Sequence, residues 1–365
     1  TPCSSSYLPG ASPINNIVDL GFPEPGTALV RWCPRVHFLQ IRTLSLIKLR
    51  SVIFTARLTD NILAVGIQLV NDFRFLGVSS CYTKCLKRKV LMTGLIGLIG
   101  YPLGHSLSPV FQQAALDYYG LKFKYELWST PTSRLPSLVS KIRECGYLGA
   151  NVTIPHKIEI MPLIDEIDDV AKTIGAVNTI ANKNGKLVGY NTDAFGFLKP
   201  LLELSNFDPK GARVLLLGAG GAARSVCYAL LNAEVGHLVL ANRTLSNAEK
   251  LASKSQRFLK DPKGSKVSLV TLADTKLNSY ARAADLIINA TSIGMTHSNF
   301  HQDSLLTTKQ ISEDTLVYDL VYNPRETKLL KNAKEAGART LDGIPMLVYQ
   351  GAKSFELWFE KKAPI

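Results

Sequence analysis

The stretch VLLLGAGGAARSVCYALLN, residues 214–232, decides the fold class of this chain. It starts with the continuous apolar run Val214–Leu217, passes through three glycines in four residues, and continues with helical spacing over Ser225–Asn232. A fully apolar run that leads through glycines into a helix is typical of a buried parallel strand followed by its crossover helix. The stretch therefore predicts a strand, turn and helix unit at the centre of an α/β sheet.

Four more apolar runs follow along the chain, each separated from the next by a stretch with helical spacing. They are Leu238–Ala241, Val267–Val270, Leu286–Asn289 and Leu316–Asp319. Strands that alternate with helices form parallel sheets with helices on both faces. Five such strands predict a doubly wound domain, and domains of this class bind ligands at the carboxyl ends of their strands.

The chain before this domain shows the same alternation. Strands are predicted at Leu95–Gly100, Lys124–Trp128 and Gly149–Ile154, and helices at Pro109–Tyr119 and Ser133–Cys145. Further on, Lys183-Asn184-Gly185 predicts a tight hairpin, because Asn and Gly accept positive φ. The fold class is therefore α/β, with two α/β domains and a cleft between them. The stretch 194–204 is predicted to bridge the domains, and a last helix, 343–360, is predicted to return to the first.

Residues 1–91 differ from the rest of the chain. They show no sustained periodicity and contain no Met, whereas Met92 directly precedes the first clean strand. They also hold eleven Lys/Arg against four Asp/Glu, which is +7 of the total net charge of +13. We predict that they form a leader or disordered extension rather than a domain. A targeting segment and the remnant of a fused upstream domain are the alternatives.

Composition excludes several classes of function. A hydrophobic content of 46% with 19% charged residues argues against a disordered chain. No basic stripe with interleaved aromatics follows residue 92, so no nucleic-acid partner is expected. No run reaches the roughly 18 apolar residues of a membrane span. The six cysteines show neither a disulfide framework nor paired zinc spacing, so we expect no metal and a reduced, cytoplasmic setting.

The glycine-rich turn gives the first indication of a ligand. Its glycines allow a pyrophosphate to approach the helix N-terminus, although Ala223 replaces the last glycine of the common motif, so a plain turn stays an alternative. The next strand ends in Ala241-Asn242-Arg243-Thr244, which has no acid for a ribose 2′-hydroxyl. A guanidinium can bind a 2′-phosphate, so NADP is predicted over NAD, with a solvated Arg243 as the alternative.

Three polar segments lie at strand ends or helix starts of the first domain: GHSLSP at 104–109, NVTIPHK at 151–157 and NTD at 191–193. Ser106 and Ser108 stand beside the start of a predicted helix. One N-cap would explain one serine but not both. Two hydroxyls beside a helix N-terminus suit a carboxylate ligand.

Together with five further motifs, these segments resemble the shikimate dehydrogenase family. The motifs, in the family's order, are GYPLGHSLSP (100–109), NVTIPHK (151–157), GAVNT (175–179), GYNTD (189–193), GAGGA (218–222), NRT (242–244), NATSIGM (289–295) and QGA (350–352). The resemblance implies an NADP-dependent oxidoreductase that interconverts shikimate and 3-dehydroshikimate in chorismate biosynthesis. Gln112-Gln113 departs from the usual His-Asn pair of the family, which puts the local packing in doubt.

The resemblance also implies roles for single residues. Ser106 and Ser108 would hold the substrate carboxylate, and Lys157 with Asp193 would form the catalytic pair. The ring hydroxyls would be held by Thr153, Asn178, Asp193 and Gln350. The pyrophosphate would be held by Gly218, Ala219, Gly220, Gly221 and Ala222, and the 2′-phosphate by Asn242, Arg243 and Thr244. The nicotinamide side would be lined by Thr291, Tyr322, Gly343 and Met346, with Tyr322 also in the substrate pocket.

Elementary chemistry agrees with this assignment. Removal of a hydride from a secondary alcohol leaves a hydroxyl proton, and a lysine beside a carboxylate is suited to take it. Neither His105 nor His156 is needed as the base, and each is interpreted as a capping or solvated side chain. The implied domains are 92–193, completed by 343–365, for substrate, and 194–342 for NADP. A monomer or homodimer is expected. Quinate/shikimate dehydrogenase and a non-catalytic NADP-binding regulator are the rival functions.

Overall fold

A computed structural model describes residues 94–104, 106–255, 265–296 and 303–365 of the protein. The predictions for the leader 1–91 and for His105 therefore lie outside the described residues.

The first sheet has six strands in the order β2-β1-β3-β5-β6-β4. The strands are β1 (Gly94–Gly100), β2 (Phe123–Ser129), β3 (Tyr147–Val152), β4 (Glu166–Ile167), β5 (Thr179–Lys183) and β6 (Lys186–Tyr190). The helices between them are α1 (Ser108–Tyr118), α2 (Leu135–Ile142) and α3 (Asp169–Ile174). Strand β1 runs parallel to β2 and β3, whereas β5 runs antiparallel to β3 and β6. The short β4 and α3 were not predicted.

The predicted hairpin joins β5 and β6. Asn184 has φ 59° and Gly185 has φ 89°, which are the positive values of a two-residue type I′ turn. Lys183 pairs with Lys186 across this turn. The hairpin prediction is confirmed.

The second sheet also has six strands, in the order β12-β11-β10-β7-β8-β9, and every pair is parallel. The strands are β7 (Arg213–Leu217), β8 (His237–Asn242), β9 (Lys266–Thr271), β10 (Leu286–Asn289), β11 (Leu316–Asp319) and β12 (Arg339–Leu341). The helices are α5 (Gly221–Asn232), α6 (Leu245–Ser255), α7 (Lys276–Ala283) and α8 (Lys328–Glu335). All five predicted strands are present, and β12 was missed. The doubly wound α/β class is confirmed.

Two helices connect the sheets: α4 (Asp193–Glu203) and α9 (Ile344–Phe359). On α4, Phe197 stacks on Tyr318 of the second sheet, with ring centroids 5.3 Å apart. On α9, Trp358 donates a hydrogen bond from Nε1 to the Ile180 carbonyl of the first sheet at 2.9 Å. The last helix thus returns to the first sheet, as predicted.

Both faces of each sheet carry a buried apolar core. In the first sheet, Ile99 and Ile180 pack with α2 on one face, and Ile96 packs with Phe355 of α9 on the other. In the second sheet, Leu216 and Leu217 point to opposite faces, each into its own cluster. Burial on both faces explains why the strands of the second sheet are continuous apolar runs.

No helix in the described ranges is long and apolar enough to cross a membrane. Within the same residues, no group of three or more His, Cys, Asp or Glu side chains is arranged to hold a metal ion. Cys227 is a buried free thiol, whereas Cys145 is disulfide-bonded. The cysteine pattern predicted no disulfide framework, and the disulfide at Cys145 was not anticipated.

Candidate active site

Lys157 and Asp193 form an ion pair at the start of α4. Lys157 follows β3 in a turn that is held to the segment before β5 by a hydrogen bond from the Val177 N–H to the Lys157 carbonyl at 2.8 Å. Asp193 is the first residue of α4. The Lys157 Nζ lies 2.5 Å from Asp193 Oδ2, and the two side chains are only 14% and 5% exposed. The structure therefore brings the predicted catalytic pair into direct contact.

Asn178 fixes the other oxygen of the Asp193 carboxylate. Its Nδ2 donates to Asp193 Oδ1 at 2.7 Å and to Gln350 Oε1 at 3.3 Å. Its Oδ1 accepts from the Thr192 N–H at 2.7 Å and from Thr179 Oγ1 at 3.1 Å. Because a backbone N–H can only donate, the orientation of this amide is determined. Three predicted substrate residues therefore share one hydrogen-bond network.

A buried polar cluster behind Asn178 was not predicted. Asn151 Nδ2 donates to Thr179 Oγ1 at 3.2 Å and to Ser354 Oγ at 2.9 Å. Ser354 Oγ also lies 2.7 Å from Thr179 Oγ1 and 3.2 Å from Thr192 Oγ1, and Tyr125 donates to Asn151 Oδ1 at 2.8 Å. Asn151 and Thr192 lie in the polar motifs, which was a usable signal. Ser354 had none, since it is one serine on an apolar helix.

The two predicted carboxylate-binding serines lie at the start of α1. The N-cap residue of α1 is Leu107, with no side-chain cap hydrogen bond, and the Ser106 hydroxyl accepts from the Ser108 N–H at 3.2 Å. Burial raises the pKa of Tyr322, and a side-chain hydrogen bond with Ser106 offsets part of that rise. Ser108 forms a hydrogen bond with Tyr125, and burial raises the pKa of Tyr125. Neither serine is the N-cap residue, and both hydroxyls adjoin tyrosines.

His156 is not a solvated side chain. It is fully buried, with Nε2 2.7 Å from the Thr130 carbonyl and Nδ1 3.1 Å from Glu159 Oε2. Its backbone N–H donates to the Thr153 carbonyl at 2.9 Å. The interpretation of His156 as a capping or solvated residue is wrong, because the ring joins two loops of the first domain. Thr153 itself is half-buried at the end of β3.

Gln112 and Gln113 settle the packing that the sequence left in doubt. Gln112 is buried and donates to the Gly351 carbonyl of α9 at 3.0 Å. Gln113 Oε1 accepts from the Tyr125 N–H at 3.0 Å, and its Nε2 donates to Asp117 at 2.9 Å. Both side chains are used in local hydrogen bonds, so the departure from the family motif leaves no buried polar group unpaired here.

The glycine-rich turn follows β7 as predicted, although α5 begins at Gly221 and not at Ser225. Gly218 has φ 114°, and a Cβ built on it would lie 2.9 Å from the Ala290 carbonyl oxygen. A Cβ built on Gly220 would meet nothing within 4 Å. Ala219 and Ala222 are half-buried beside them. The turn therefore requires glycine at position 218 and leaves open space beside position 220.

The residues predicted for the 2′-phosphate stand next to this turn. The Gly218 N–H donates to the Ala241 carbonyl at the end of β8 at 2.8 Å. Asn242 donates to the Thr244 carbonyl at 2.8 Å, and Arg243 and Thr244 are exposed. The exposed guanidinium is thus available at the edge of the glycine-rich turn.

The residues predicted for the nicotinamide side lie on the loops after β10 and β11 and at the start of α9. Thr291 donates from N and from Oγ1 to Asn289 Oδ1, at 3.0 and 2.7 Å. Gly343 is the N-cap residue of α9, where a Cβ would lie 2.4 Å from the Leu320 carbonyl oxygen. Met346 is only 8% exposed and packs in the apolar core of the second sheet.

Two contacts join the halves of the site. Asn191 Nδ2 donates to Ser225 Oγ of α5 at 3.0 Å. A Cβ built on Gly221, the first residue of α5, would lie 3.3 Å from Lys157 Cδ. The lysine of the ion pair therefore adjoins the first turn of the helix that follows the glycine-rich turn.

Comparisons with known proteins match this arrangement. Family models match residues 98–180 as a shikimate dehydrogenase substrate binding domain, 202–344 as shikimate / quinate 5-dehydrogenase, and 343–365 as a shikimate 5′-dehydrogenase C-terminal domain. Shikimate dehydrogenase (NADP(+)) of Methanopyrus kandleri is 45% identical over 273 residues, which is 75% of this chain and 92% of the relative.

Solved structures give the same result. Shikimate 5-dehydrogenase from Thermus thermophilus, in complex with NADP(H) and shikimate, superposes with a TM-score of 0.65 at 35% identity, covering 74% of this chain and 95% of that one. Quinate dehydrogenase from Corynebacterium glutamicum, in complex with NAD, has a TM-score of 0.67 at 33% identity, with the same coverage of 74% and 95%. On its matched domains, its motifs and the level of identity to these relatives, the chain belongs to the shikimate dehydrogenase family.

Proposed function

We propose that this protein is an NADP-dependent shikimate dehydrogenase, which interconverts shikimate and 3-dehydroshikimate in chorismate biosynthesis. One observation carries the proposal: the shielded Lys157–Asp193 pair lies directly beside the start of α5, the helix of the glycine-rich turn. A proton-accepting pair and a dinucleotide motif are the two parts that oxidation of an alcohol by hydride transfer requires.

In the proposed mechanism, the neutral amine of Lys157 takes the proton of the reacting ring hydroxyl when shikimate is oxidised and becomes an ammonium, which returns the proton in the reverse reaction. Asp193 holds the Lys157 ammonium with Oδ2, while its Oδ1 is fixed by Asn178. The carboxylate therefore cannot turn away when the charge on Lys157 changes. When bound at the glycine-rich turn, NADP would supply the hydride acceptor or donor. The low exposure of Lys157 and Asp193 limits access of water.

The substrate is proposed to bind with its carboxylate at Ser106 and Ser108, and with Tyr322 beside them. Its ring hydroxyls are assigned to Thr153, Asn178, Asp193 and Gln350. The hydrogen bonds among Asn178, Asp193 and Gln350 support this assignment, because they hold three polar side chains in one orientation before the ligand arrives.

The described residues fit a dinucleotide that carries a 2′-phosphate. The turn at Gly218 leaves no room for a side chain, and Gly220 opens onto free space at the N-terminus of α5. Free N–H groups and the helix dipole favour a pyrophosphate there. Asn242, Arg243 and Thr244 are assigned to the 2′-phosphate, since the end of β8 offers a cation and no acid. Thr291, Gly343 and Met346 are assigned to the nicotinamide side.

The domain division follows from these assignments. We propose residues 92–193 with 343–365 as the substrate-binding domain and 194–342 as the NADP-binding domain. A monomer or homodimer in the cytoplasm, without a nucleic-acid or membrane partner, stays a prediction.

Quinate/shikimate dehydrogenase is the rival activity, since a quinate dehydrogenase that binds NAD has the same fold. The paired Ser106 and Ser108 and the cation Arg243 favour shikimate and NADP. The test is initial-rate measurement of NADPH or NADH formation with shikimate or quinate and either cofactor. We expect the highest kcat/KM with shikimate and NADP. A preference for quinate and NAD would replace the proposal, and no turnover with any pair would indicate a non-catalytic NADP-binding protein.

A further inference from the structure

Asp319 is a fully buried carboxylate that the proposed mechanism does not use. It ends β11, and in the parallel register it lies opposite Asn289, which ends β10. Both residues therefore stand at the carboxyl edge of the second sheet, where open α/β sheets bind their ligands. Burial raises the pKa of Asp319 to about 6, while three hydrogen bonds oppose that rise.

Those three hydrogen bonds come from three different segments. Asp319 Oδ1 accepts from Asn289 Nδ2 at 2.9 Å and from the Val321 N–H at 3.0 Å. Its Oδ2 accepts from Thr327 Oγ1 at 2.5 Å. Thr327 is the N-cap residue of α8, where its side chain accepts from the Leu330 N–H. One side chain thus ties together the loops after β10 and β11 and the start of α8.

The bond to Asn289 also determines the loop after β10. Since a carboxylate oxygen accepts, Asn289 must present its amide nitrogen to Asp319, and its oxygen then faces the loop. That oxygen accepts both hydrogen bonds from Thr291, and the second amide hydrogen goes to the Ile293 carbonyl at 3.1 Å. If the Asn289 amide were flipped, its NH₂ group would face the N–H and O–H donors of Thr291, and neither hydrogen bond could form. Asp319 therefore sets the position of Thr291 through Asn289.

The bond to Val321 acts on the second loop in the same way. Val321 directly precedes Tyr322, which is hydrogen-bonded to Ser106. The carbonyls of Leu320 and Val321 also lie within 2.4 and 2.8 Å of the place where a Cβ on Gly343 would be. The loop is therefore held closely between Asp319 and the start of α9.

We infer that Asp319 is a positioning residue, which fixes Thr291 and Tyr322 on the nicotinamide side of the site without contacting substrate or cofactor. The inference rests on the proposed function, because the roles of Thr291 and Tyr322 belong to it. Loosening these two loops would misalign the reacting carbon and the nicotinamide. The glycine-rich turn also adjoins the loop after β10, but the hydrogen bond from the Gly218 N–H to the Ala241 carbonyl would still hold it to the end of β8, next to Arg243.

The test compares Asp319→Ala with Thr315→Val as the matched control. Thr315 is also fully buried, and its Oγ1 donates a hydrogen bond to the Ala284 carbonyl at 2.8 Å. It directly precedes the first residue of β11, whereas Asp319 is the last residue of that strand. Two properties are measured: kcat for shikimate oxidation, and the Kd of 2′-phospho-ADP-ribose, which is NADP without its nicotinamide. A structural defect weakens both, whereas a positioning defect lowers kcat alone.

For Asp319→Ala we expect kcat to fall about 100-fold and the Kd of 2′-phospho-ADP-ribose to stay within about twofold, since a displacement of about 1 Å has effects of this size. Thr315→Val should leave both near wild type. Asp319→Asn keeps one oxygen acceptor and should lose less activity than the alanine variant. If Asp319→Ala does not fold, Asp319→Asn must still lower kcat more than Thr315→Val does.

Two results would overturn the inference: kcat of the Asp319 variants equal to that of the control, or a loss of analogue binding in step with kcat. Failure of the proposed function would look different, because the wild-type protein itself would then not reduce NADP with shikimate.

Discussion

At the scale of single residues, Lys157 and Asp193 stabilise each other against the cost of burial. Removing one partner of a buried ion pair leaves an uncompensated charge, which typically costs about 3–5 kcal/mol. In this site the cost is reduced, because Asn178 still donates to Asp193 Oδ1 when Lys157 is absent. The variant Lys157→Ala is therefore expected to fold.

The first prediction is that Lys157→Ala lowers kcat for shikimate oxidation by about 10²–10⁴, the usual contribution of general acid–base catalysis. The KM for shikimate should change little, because the other substrate contacts remain. Steady-state kinetics test this, with Lys186→Ala as control, since Lys186 pairs with Glu166 on the surface and both are more than half exposed. Turnover near wild type in Lys157→Ala would remove this lysine from the mechanism.

Arg243 carries the second prediction. Replacement by alanine should weaken NADP binding much more than NAD binding, because only NADP has a 2′-phosphate to lose. The ratio of the two Kd values is the measurement. The control is Arg282→Ala, an exposed arginine on α7, which should not change the ratio. Equal weakening of both cofactors by Arg243→Ala would mean that this arginine has a structural role.

The sequence identified the residues that are proposed to contact ligands more readily than the residues behind them. Lys157, Asp193 and Asn178 lie in short polar motifs at strand ends, where packing alone would favour apolar residues. Ser354 and Asp319 gave no such signal, because one serine on a helix and one acid after a strand are compatible with many positions. Their roles depend on contacts between residues far apart in the chain, such as Ser354 with Asn151.

At the scale of elements, the crossing of α4 and α9 is set by Gly196. A Cβ on Gly196 would lie 2.5 Å from Gln350 Cβ and 2.7 Å from its backbone nitrogen, so the two helices touch at this point. Alanine is favoured over glycine within a helix by about 1 kcal/mol. Overpacking of a close contact costs about 1–3 kcal/mol, so we expect the steric effect to win.

The third prediction follows from this contact. Gly196→Ala should displace Gln350 from Asn178, raise the KM for shikimate several-fold and leave the Kd for NADP nearly unchanged. Both constants are measured alongside Lys199→Ala, a surface change on the same helix whose partner Glu203 is also exposed. An unaltered KM in Gly196→Ala would contradict this prediction, because either α9 shifts without moving the Gln350 amide or Gln350 does not contact the substrate.

Element types could be predicted where local chemistry dictates them. The hairpin at Asn184 and Gly185 was found because its positive φ values favour these two residues. Strand β12 was missed because three residues, one of them exposed, form no pattern. The start of α5 was placed four residues late, at Ser225, because its first residues are glycine and alanine, and glycine suggests a turn. The observed start is Gly221, where the helix N-terminus leaves free N–H groups at the turn.

At the scale of the whole molecule, the proposed site lies between the two sheets. Asp193 is the first residue of α4, and Gln350 lies within α9. Asn191, just before α4, donates a hydrogen bond to Ser225 of α5. The order of motifs in the sequence predicted a cleft. It could not predict that Lys157 would lie against the first residue of α5, since that contact depends on how closely the two domains approach each other.

The last prediction concerns the extent of chain that the activity requires. Every residue assigned to the site lies between 106 and 350, and in the described part of the chain the strands of both sheets lie within residues 94–341. The match to the relative from Methanopyrus kandleri covers 92% of that protein but only 75% of this chain. A chain that begins at Met92 is therefore expected to fold and to keep wild-type kcat and KM.

The measurement compares Tm and shikimate-dependent NADP reduction for the full chain and for the chain that begins at Met92. The matched control begins at Gly100, which removes most of β1, including Ile96 and Ile99, both buried in the first sheet. Loss of each buried isoleucine costs about 2–5 kcal/mol, so this control should not fold. If the chain beginning at Met92 also aggregates or loses most of its activity, residues 1–91 are an integral part of the enzyme. The leader prediction would then be wrong, while the assignment of Lys157 and Asp193 would stand, because the full chain would still show their effect.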